Sequence, residues 1–123
     1  MENKNYVIQK NPFRVPTTDG KLIEEHFGIA SHGDDALSIA HMIAPPGWSE
    51  PFQTPEFDEY TYIIKGKKQF IVGDDVIVLE AGQSIKINKH SRVQYSNPFT
   101  TSCEYIAICR PAFSMDKVNR EDS

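Results

Sequence analysis

The sequence predicts an all-β domain, a sandwich or barrel of short antiparallel strands. Three observations carry that expectation. Stretches rich in Tyr, Ile, Phe and Val recur from residue 36 onward, at spacings near about ten residues. Turn-forming clusters separate them: Pro45-Pro46-Gly47, Lys65-Gly66, Gly73-Asp74-Asp75 and the run from Glu80 to Gln83. Before the C-terminal tail, no helical periodicity persists for three turns.

Taken in order, residues 1–35 are the least regular, with an edge strand expected around Leu22 and Phe27 in DGKLIEEHFGIAS. ALSIAHMIA (36–44) alternates, placing Leu37, Ile39, His41 and Ile43 on one face and Ala36, Ser38, Ala40 and Met42 on the other. EYTYIIKGKKQFIV (59–72) reads as two strands about the Lys65-Gly66 turn, and Lys65, Lys67 and Lys68 read as part of that solvated turn. VIVL (76–79) follows, then SIKIN (84–88), which alternates as a half-buried strand should. RVQYSN (92–97) and CEYIAICR (103–110) complete the set. The tail is charged beyond Val118 and is expected to fray. The resulting plan is an N-terminal segment with edge strands (1–35), a β-barrel (36–113) and a charged tail (114–123). There is no internal repeat and no low-complexity segment.

At 123 residues the chain suits one domain with a core of its own. Its 39% hydrophobic and 24% charged residues describe a globular chain rather than a disordered one. A formal charge of −4 and no basic stripe argue against a nucleic-acid partner. The opening MENKNYVIQKNPF shows no apolar stretch of a signal peptide, and no apolar run approaches membrane-spanning length. A cytoplasmic protein with no membrane association is therefore expected. Cys103 and Cys109 would lie about 20 Å apart on one strand at roughly 3.3 Å per residue, so free thiols are expected.

One stretch raises a sharper question. In GWSEPFQTPEFDEYTYIIKG, five residues separate Gly47 from Gln53, Pro55 and Glu59 follow, and six more residues lead to Gly66. Further on, Asn88, His90, Val93 and Asn97 follow EAGQSIKI. These two frames resemble the two motifs of a small single-domain cupin, a double-stranded β-helix of jelly-roll type. The flanks DGKLIEEHFG and YIAICRPAFSMD look like bacterial cupins of the phosphomannose-isomerase-like or ethanolamine-utilisation-like groups, so the likeness covers roughly residues 19–116.

The resemblance implies a metal held by three histidines and a glutamate. Only Glu59 matches; Gln53, Pro55 and Val93 stand at the histidine positions. Proline has no ligating atom, valine is apolar, and a glutamine carbonyl suits iron, nickel or zinc poorly. The ordinary three-histidine site cannot form from these residues.

Glu59 becomes the residue to watch. It is either a desolvated carboxylate acting as acid or base, or a vestige bonded to nearby backbone or to Gln53. Gln53 would orient a ligand or hold Glu59. His41 shares a face with Ile39 and Ile43 and is either a pocket residue or a satisfied core group. Tyr62 matches a position commonly aromatic in the family, where it packs or lines the cavity, and Val93 would border the site at the third histidine position. Tyr60, Tyr95, Tyr105 and Trp48 are further candidates whose face parity does not settle. His90 is expected on an exposed loop, and His26 and His32 carry no motif. The cysteines lack a sequence partner that would make a nucleophile.

Three functions follow from the resemblance. The first is a cupin that binds a small organic molecule in its barrel without the usual metal site, working as an isomerase, cyclase or lyase with Glu59 as acid or base. The second keeps a divalent metal on Glu59, Gln53 and His41. The third is a non-catalytic ligand-binding or sensor module. Open sheet edges make a homodimer the expected assembly.

Overall fold

The computed structural model describes residues 5–121, and they form two facing antiparallel sheets. The six-stranded sheet contains β1 (Phe13–Arg14), β2 (Leu22–Phe27), β3 (Ser38–Ala44), β5 (Asp58–Lys65), β8 (Ser84–Ile87) and β10 (Cys103–Arg110), in the order β1-β2-β3-β10-β5-β8. The four-stranded sheet contains β4 (Trp48–Ser49), β6 (Lys67–Val72), β7 (Asp75–Glu80) and β9 (Val93–Asn97), in the order β4-β9-β6-β7. A one-turn helix, α1 (Ile29–His32), and a 3-10 turn at Met115–Lys117 complete the described elements. The architecture is an all-β jelly roll, as the strand pattern predicts.

The strand around Leu22 differs from expectation in one respect. It is not at the edge, because the two-residue β1 covers it through the pairs Phe13↔Glu25 and Arg14↔Glu24. On its other side β2 pairs with β3, which joins the N-terminal segment to the larger sheet.

Alternation assigns the faces. Along β10, Cys103, Tyr105, Ala107 and Cys109 are buried between the sheets, while Glu104, Ile106 and Ile108 face outward. Register carries this to the neighbours: Ile106 lies opposite His41 and Tyr62, and Ile108 opposite Ile39 and Tyr60. The face of β3 that carries the isoleucines is thus the outer one. Its inner face holds Ser38, Ala40, Met42 and Ala44. This reverses the face expected from hydrophobicity, because small and polar residues occupy the interior here.

Phe70, Ile63, Val93, Trp48 and Tyr105 form the main apolar cluster with Ala44, Ile87 and Tyr95, and Phe57, Cys109 and Val118 form a second, smaller one. Val118 is the reason the described tail does not fray. Its side chain is fully buried, and the chain on either side is hydrogen-bonded: Glu56 N donates to Lys117 O at 2.9 Å and Glu121 N to Phe52 O at 2.8 Å. Arg92 adds a bidentate contact to Glu121 at 2.7 and 2.9 Å.

Two members of the glycine and asparagine frame have structural duties. Gly66 turns β5 into β6 at φ +82°, and a Cβ there would stand 2.3 Å from the carbonyl oxygen of Ser102. Asn97 is wholly buried at the end of β9. Its amide Nδ2 donates to the carbonyls of Ala44 (3.2 Å), Pro45 (3.2 Å) and Thr101 (2.8 Å), and its Oδ1 accepts from Phe99 N at 3.1 Å. One side chain ties the exit of β3, the end of β9 and the loop into β10. Asn97→Ala removes the donor to the Ala44 and Thr101 carbonyls and the acceptor of Phe99 N, while Pro45 O keeps its bond from Trp48 N, and is expected to cost about 2–4 kcal/mol. Urea denaturation of the variant checks this; a loss below about 1 kcal/mol would show that the loops hold without it.

Candidate functional site

A cavity of about 380 Å³ opens between the sheets and is closed at one side by the loop from Val15 to Asp19. Each strand contributes through its inward residues. From β6, Lys68 shares parity with Phe70 and Val72 and points inward, leaving Lys67, Gln69 and Ile71 on the other side. Lys68 is only 2% exposed. Its Nζ stands 3.6 Å from the ring centre of Tyr105, 4.7 Å from that of Tyr95 and 5.1 Å from that of Phe70. Burial lowers its pKa to about 7, Lys21 pushes it the same way, and Glu59 and Glu50 oppose.

Lys21 enters from the loop before β2. Its Nζ lies 4.1 Å over the Trp48 ring and 5.5 Å from that of Tyr105. Asp19 holds this corner: its carboxylate accepts from Lys21 N at 3.1 Å and from Trp48 Nε1 at 2.8 Å. Burial also lowers the Lys21 pKa, against the pull of Glu50, Glu59 and Asp19.

Glu59 comes from β5, with the inward Cys109 as its partner in register. The Cys109 Sγ lies 3.8 Å from Glu59 Oε1. Burial raises the Glu59 pKa above the usual carboxylate value, and Lys68 and Lys21 draw it partly back. Burial, then Glu59, pushes the Cys109 thiol far up, so it is a poor nucleophile. The Tyr95 hydroxyl neighbours Glu59, yet both it and the Tyr105 hydroxyl are buried without a partner of hydrogen-bond geometry.

Gln53 also lines the cavity, but the chain holds it independently of Glu59. Its backbone exchanges hydrogen bonds with Val93 at 2.9 and 2.8 Å, and its Oε1 accepts from Arg120 at 3.4 Å. Arg120 also reaches Glu50 at 2.9 Å, so the tail braces one wall of the cavity.

The other sequence candidates lie elsewhere. His41 faces outward, with Nδ1 3.1 Å from Glu24 and Nε2 2.6 Å from Glu104. Partial burial lowers its pKa, but the two carboxylates outweigh that and raise it. Tyr62 is 50% exposed on the same outer face. Val93 is fully buried in the apolar cluster, away from the cavity lining. Pro55 is buried, its carbonyl accepting from His90 N at 2.7 Å. The alternative metal set of Glu59, Gln53 and His41 is therefore not brought together, because the larger sheet stands between His41 and the other two. Among the described residues, no three His, Cys, Asp or Glu side chains converge to hold a metal ion.

Sequence reasoning missed Lys68, Lys21, Glu50 and Arg120. For Lys68 a signal existed, its shared parity with Phe70 and Val72, but the neighbouring Lys65 and Lys67 made it look like part of an exposed turn. Lys21 and Arg120 reach the cavity through long-range docking of chain termini, which no local pattern shows.

Residues 40–109 match the family model described as the Cupin domain. The chain is a cupin. It is 39% identical over 107 residues to the endoribonuclease YbeY of Myxococcus xanthus, an alignment covering 87% of this chain but 36% of that protein. The cupin thus spans about a third of that relative's length. Among solved structures it is similar to an RmlC-like cupin of Shewanella frigidimarina, at 16% identity and TM-score 0.72, covering 94% of this chain and 97% of the other. It is also similar to a variant of Streptomyces PAC13 with uridine, at 15% identity and TM-score 0.75, covering 98% and 92%. No helix of the described residues is long and apolar enough to cross a membrane.

The buried lysine has a consequence for stability. Its folded pKa of about 7 lies below the value of about 10.4 expected once unfolded. Between those values the unfolded chain binds more protons, so stability rises with pH from about 7 to about 10. Lys68→Met keeps the stem and removes the charge. The variant is expected to be more stable than the wild type at neutral pH and to lose much of that rise, leaving the part due to Lys21. Urea denaturation at several pH values gives the answer, and parallel curves would contradict the assignment.

Proposed function

We propose that this cupin takes a small organic molecule into its barrel and acts on it without a metal, with Glu59 as the acid–base group. The observation that carries this is the Glu59 carboxylate, held inside the cavity at a raised pKa with buried lysine amines and unpartnered tyrosine hydroxyls around it. A buried carboxylate whose pKa is raised by desolvation holds its proton more readily than an exposed one, which suits general acid–base work. An isomerisation, cyclisation or elimination needs no more than that. The cavity volume is within the usual range for small-molecule sites, and a structural relative seen with uridine supports the same size class.

The donor set speaks against a metal. Gln53 offers a carbonyl oxygen already engaged by Arg120, Pro55 and Val93 offer nothing, and His41 is on the outer face. The endoribonuclease name belongs to a protein of which this chain spans about a third, and a formal charge of −4 does not favour an RNA backbone. A non-catalytic binding module would use the same cavity.

The test joins three measurements. Elemental analysis of protein purified without added metal is expected to give well under one equivalent of transition metal. A thermal-shift panel of nucleosides, sugars and small keto and hydroxy acids should contain at least one compound that stabilises the wild type. Glu59→Gln should fold at least as well and should lose conversion of that compound. Binding without conversion by the wild type would leave the sensor module; stoichiometric metal, or no binding at all, would sink the proposal.

Assembly is a separate proposal. The outer face of the larger sheet carries Ile39, Ile43, Tyr60, Tyr62, Ile106 and Ile108, which supports a homodimer with this face as its contact. Light scattering at micromolar concentration is then expected to return twice the chain mass, and a monomer mass would refute it.

A further inference from the structure

Nothing in the acid–base reading requires Lys68, and its placement asks for an explanation. An apolar side chain of the same length would fill the space between Tyr105, Tyr95 and Phe70 without placing an amine in the interior. No hydrogen bond or ion pair to its Nζ is found among the described residues. The ring faces 3.6 and 4.7 Å away are its nearest recorded partners, and the side chain lines the cavity.

We infer that Lys68 is a nucleophilic amine that condenses with a small aldehyde or ketone admitted to the barrel, forming an imine and releasing water. This rests on the small-molecule reading of the same cavity and narrows it to carbonyl compounds. Attack requires a nitrogen lone pair, which an ammonium lacks. The titratable groups around the amine are Lys21 from the loop before β2, Glu50 after β4, Glu59 from β5, Tyr95 from β9, and Cys103 and Tyr105 from β10. Lys21 disfavours a second positive charge, while the carboxylates are not close enough to form an ion pair. At pH 7 about half of Lys68 is then free amine, against about one in 2,500 of an ordinary lysine.

The step balances within the site. The Lys68 nitrogen adds to the carbonyl carbon, and the carbonyl π electrons move to oxygen. The proton released from nitrogen passes to the alkoxide, Glu59 being the carboxylate in the cavity able to relay it. A second proton, from Glu59 in its acid form, lets the hydroxyl depart as water while the nitrogen lone pair closes the C=N bond. No oxidant or reductant is involved. The protonated imine then draws electrons from the adjacent carbon, which eases loss of a proton or a leaving group there.

The test uses 2,4-pentanedione, which amines convert to a stable, ultraviolet-absorbing enaminone with loss of one water. Incubated with the intact wild-type chain near pH 7, it is expected to add once, as diketone minus water by intact mass, with peptide mapping to Lys68. The rate should exceed that at any other lysine by at least about tenfold and should rise with pH through about 7. Lys68→Met should show no such adduct. Lys21→Met should keep it but move the pH profile upward, since one cation has gone. Modification that maps to Lys21, spreads over the surface lysines, or begins only near pH 10 would overturn the inference. The mapped site in the wild type decides the matter even if a variant does not fold. If panel compounds stabilise the wild type and no Lys68 adduct forms, this inference falls alone; if nothing binds and no adduct forms, the small-molecule reading falls with it.

Discussion

An amine inside a β-barrel, without a carboxylate close enough to pair with it, is the constraint to which the rest of this interior answers. Lys68 reaches the cavity because β6 alternates and its neighbours in parity, Phe70 and Val72, are core residues. Once there, its charge is disfavoured by burial, and the surroundings soften the penalty rather than cancel it. The Tyr105 and Tyr95 rings present their faces, which attract a cation when the amine is protonated. Glu59 and Glu50 supply negative potential from farther off, and Lys21 opposes them. The facing walls of Ser38, Ala40, Ala107 and Cys109 are small, which leaves the cavity as open volume.

That choice of inner surface explains why the strand pattern was legible and the faces were not. Turn chemistry and period-2 alternation depend on the backbone, and they place β3 and β5 through β10 close to where the structure has them. The Gly66 turn is required by a positive φ and a carbonyl in the way, and Asn97 by three carbonyls to be satisfied, so both are visible as a frame. Deciding which face is buried needs the partner sheet. Hydrophobicity points to Ile39 and Ile43, which face outward and take His41 with them, and Tyr62, singled out by the family resemblance, lies on the same outer face. His41 is instead satisfied by Glu24 and Glu104, one on each flanking strand, a pairing that only the register of three strands creates. Glu59 was legible because its position in the frame is tied to the turn at Gly66. Lys21 and Arg120 were not, since they belong to segments whose docking onto the barrel is decided by Trp48, Asp19 and Val118.

The ligand frame survives here as architecture. Gln53 and Val93 pair through their backbones, so two of the positions the resemblance assigns to histidines still meet in space, while Pro55 accepts from His90 N. The side chains have been divided between other duties: Val93 joins the apolar cluster, while Gln53 is held by Arg120 at the cavity wall. Glu59 alone retains an ionisable group at a frame position in the cavity. Across the cavity from this carboxylate, on the opposite sheet, lies the amine of Lys68.

Glu59 and Lys68 then act on each other's protonation. Burial raises the acid and lowers the base, moving both toward neutrality, while their mutual attraction works in the other direction. The two groups are thus coupled, the proton affinity of each depending on the charge of the other. A pair in that condition can give a proton in one step and accept one in the next, as condensation with a carbonyl and the later release of product both require. Because desolvation sets this balance, it depends on the Val15–Asp19 loop and on Arg120 of the tail that Val118 anchors, both of which line the cavity. The two segments least regular in sequence thereby help set the surroundings of the two groups at the centre.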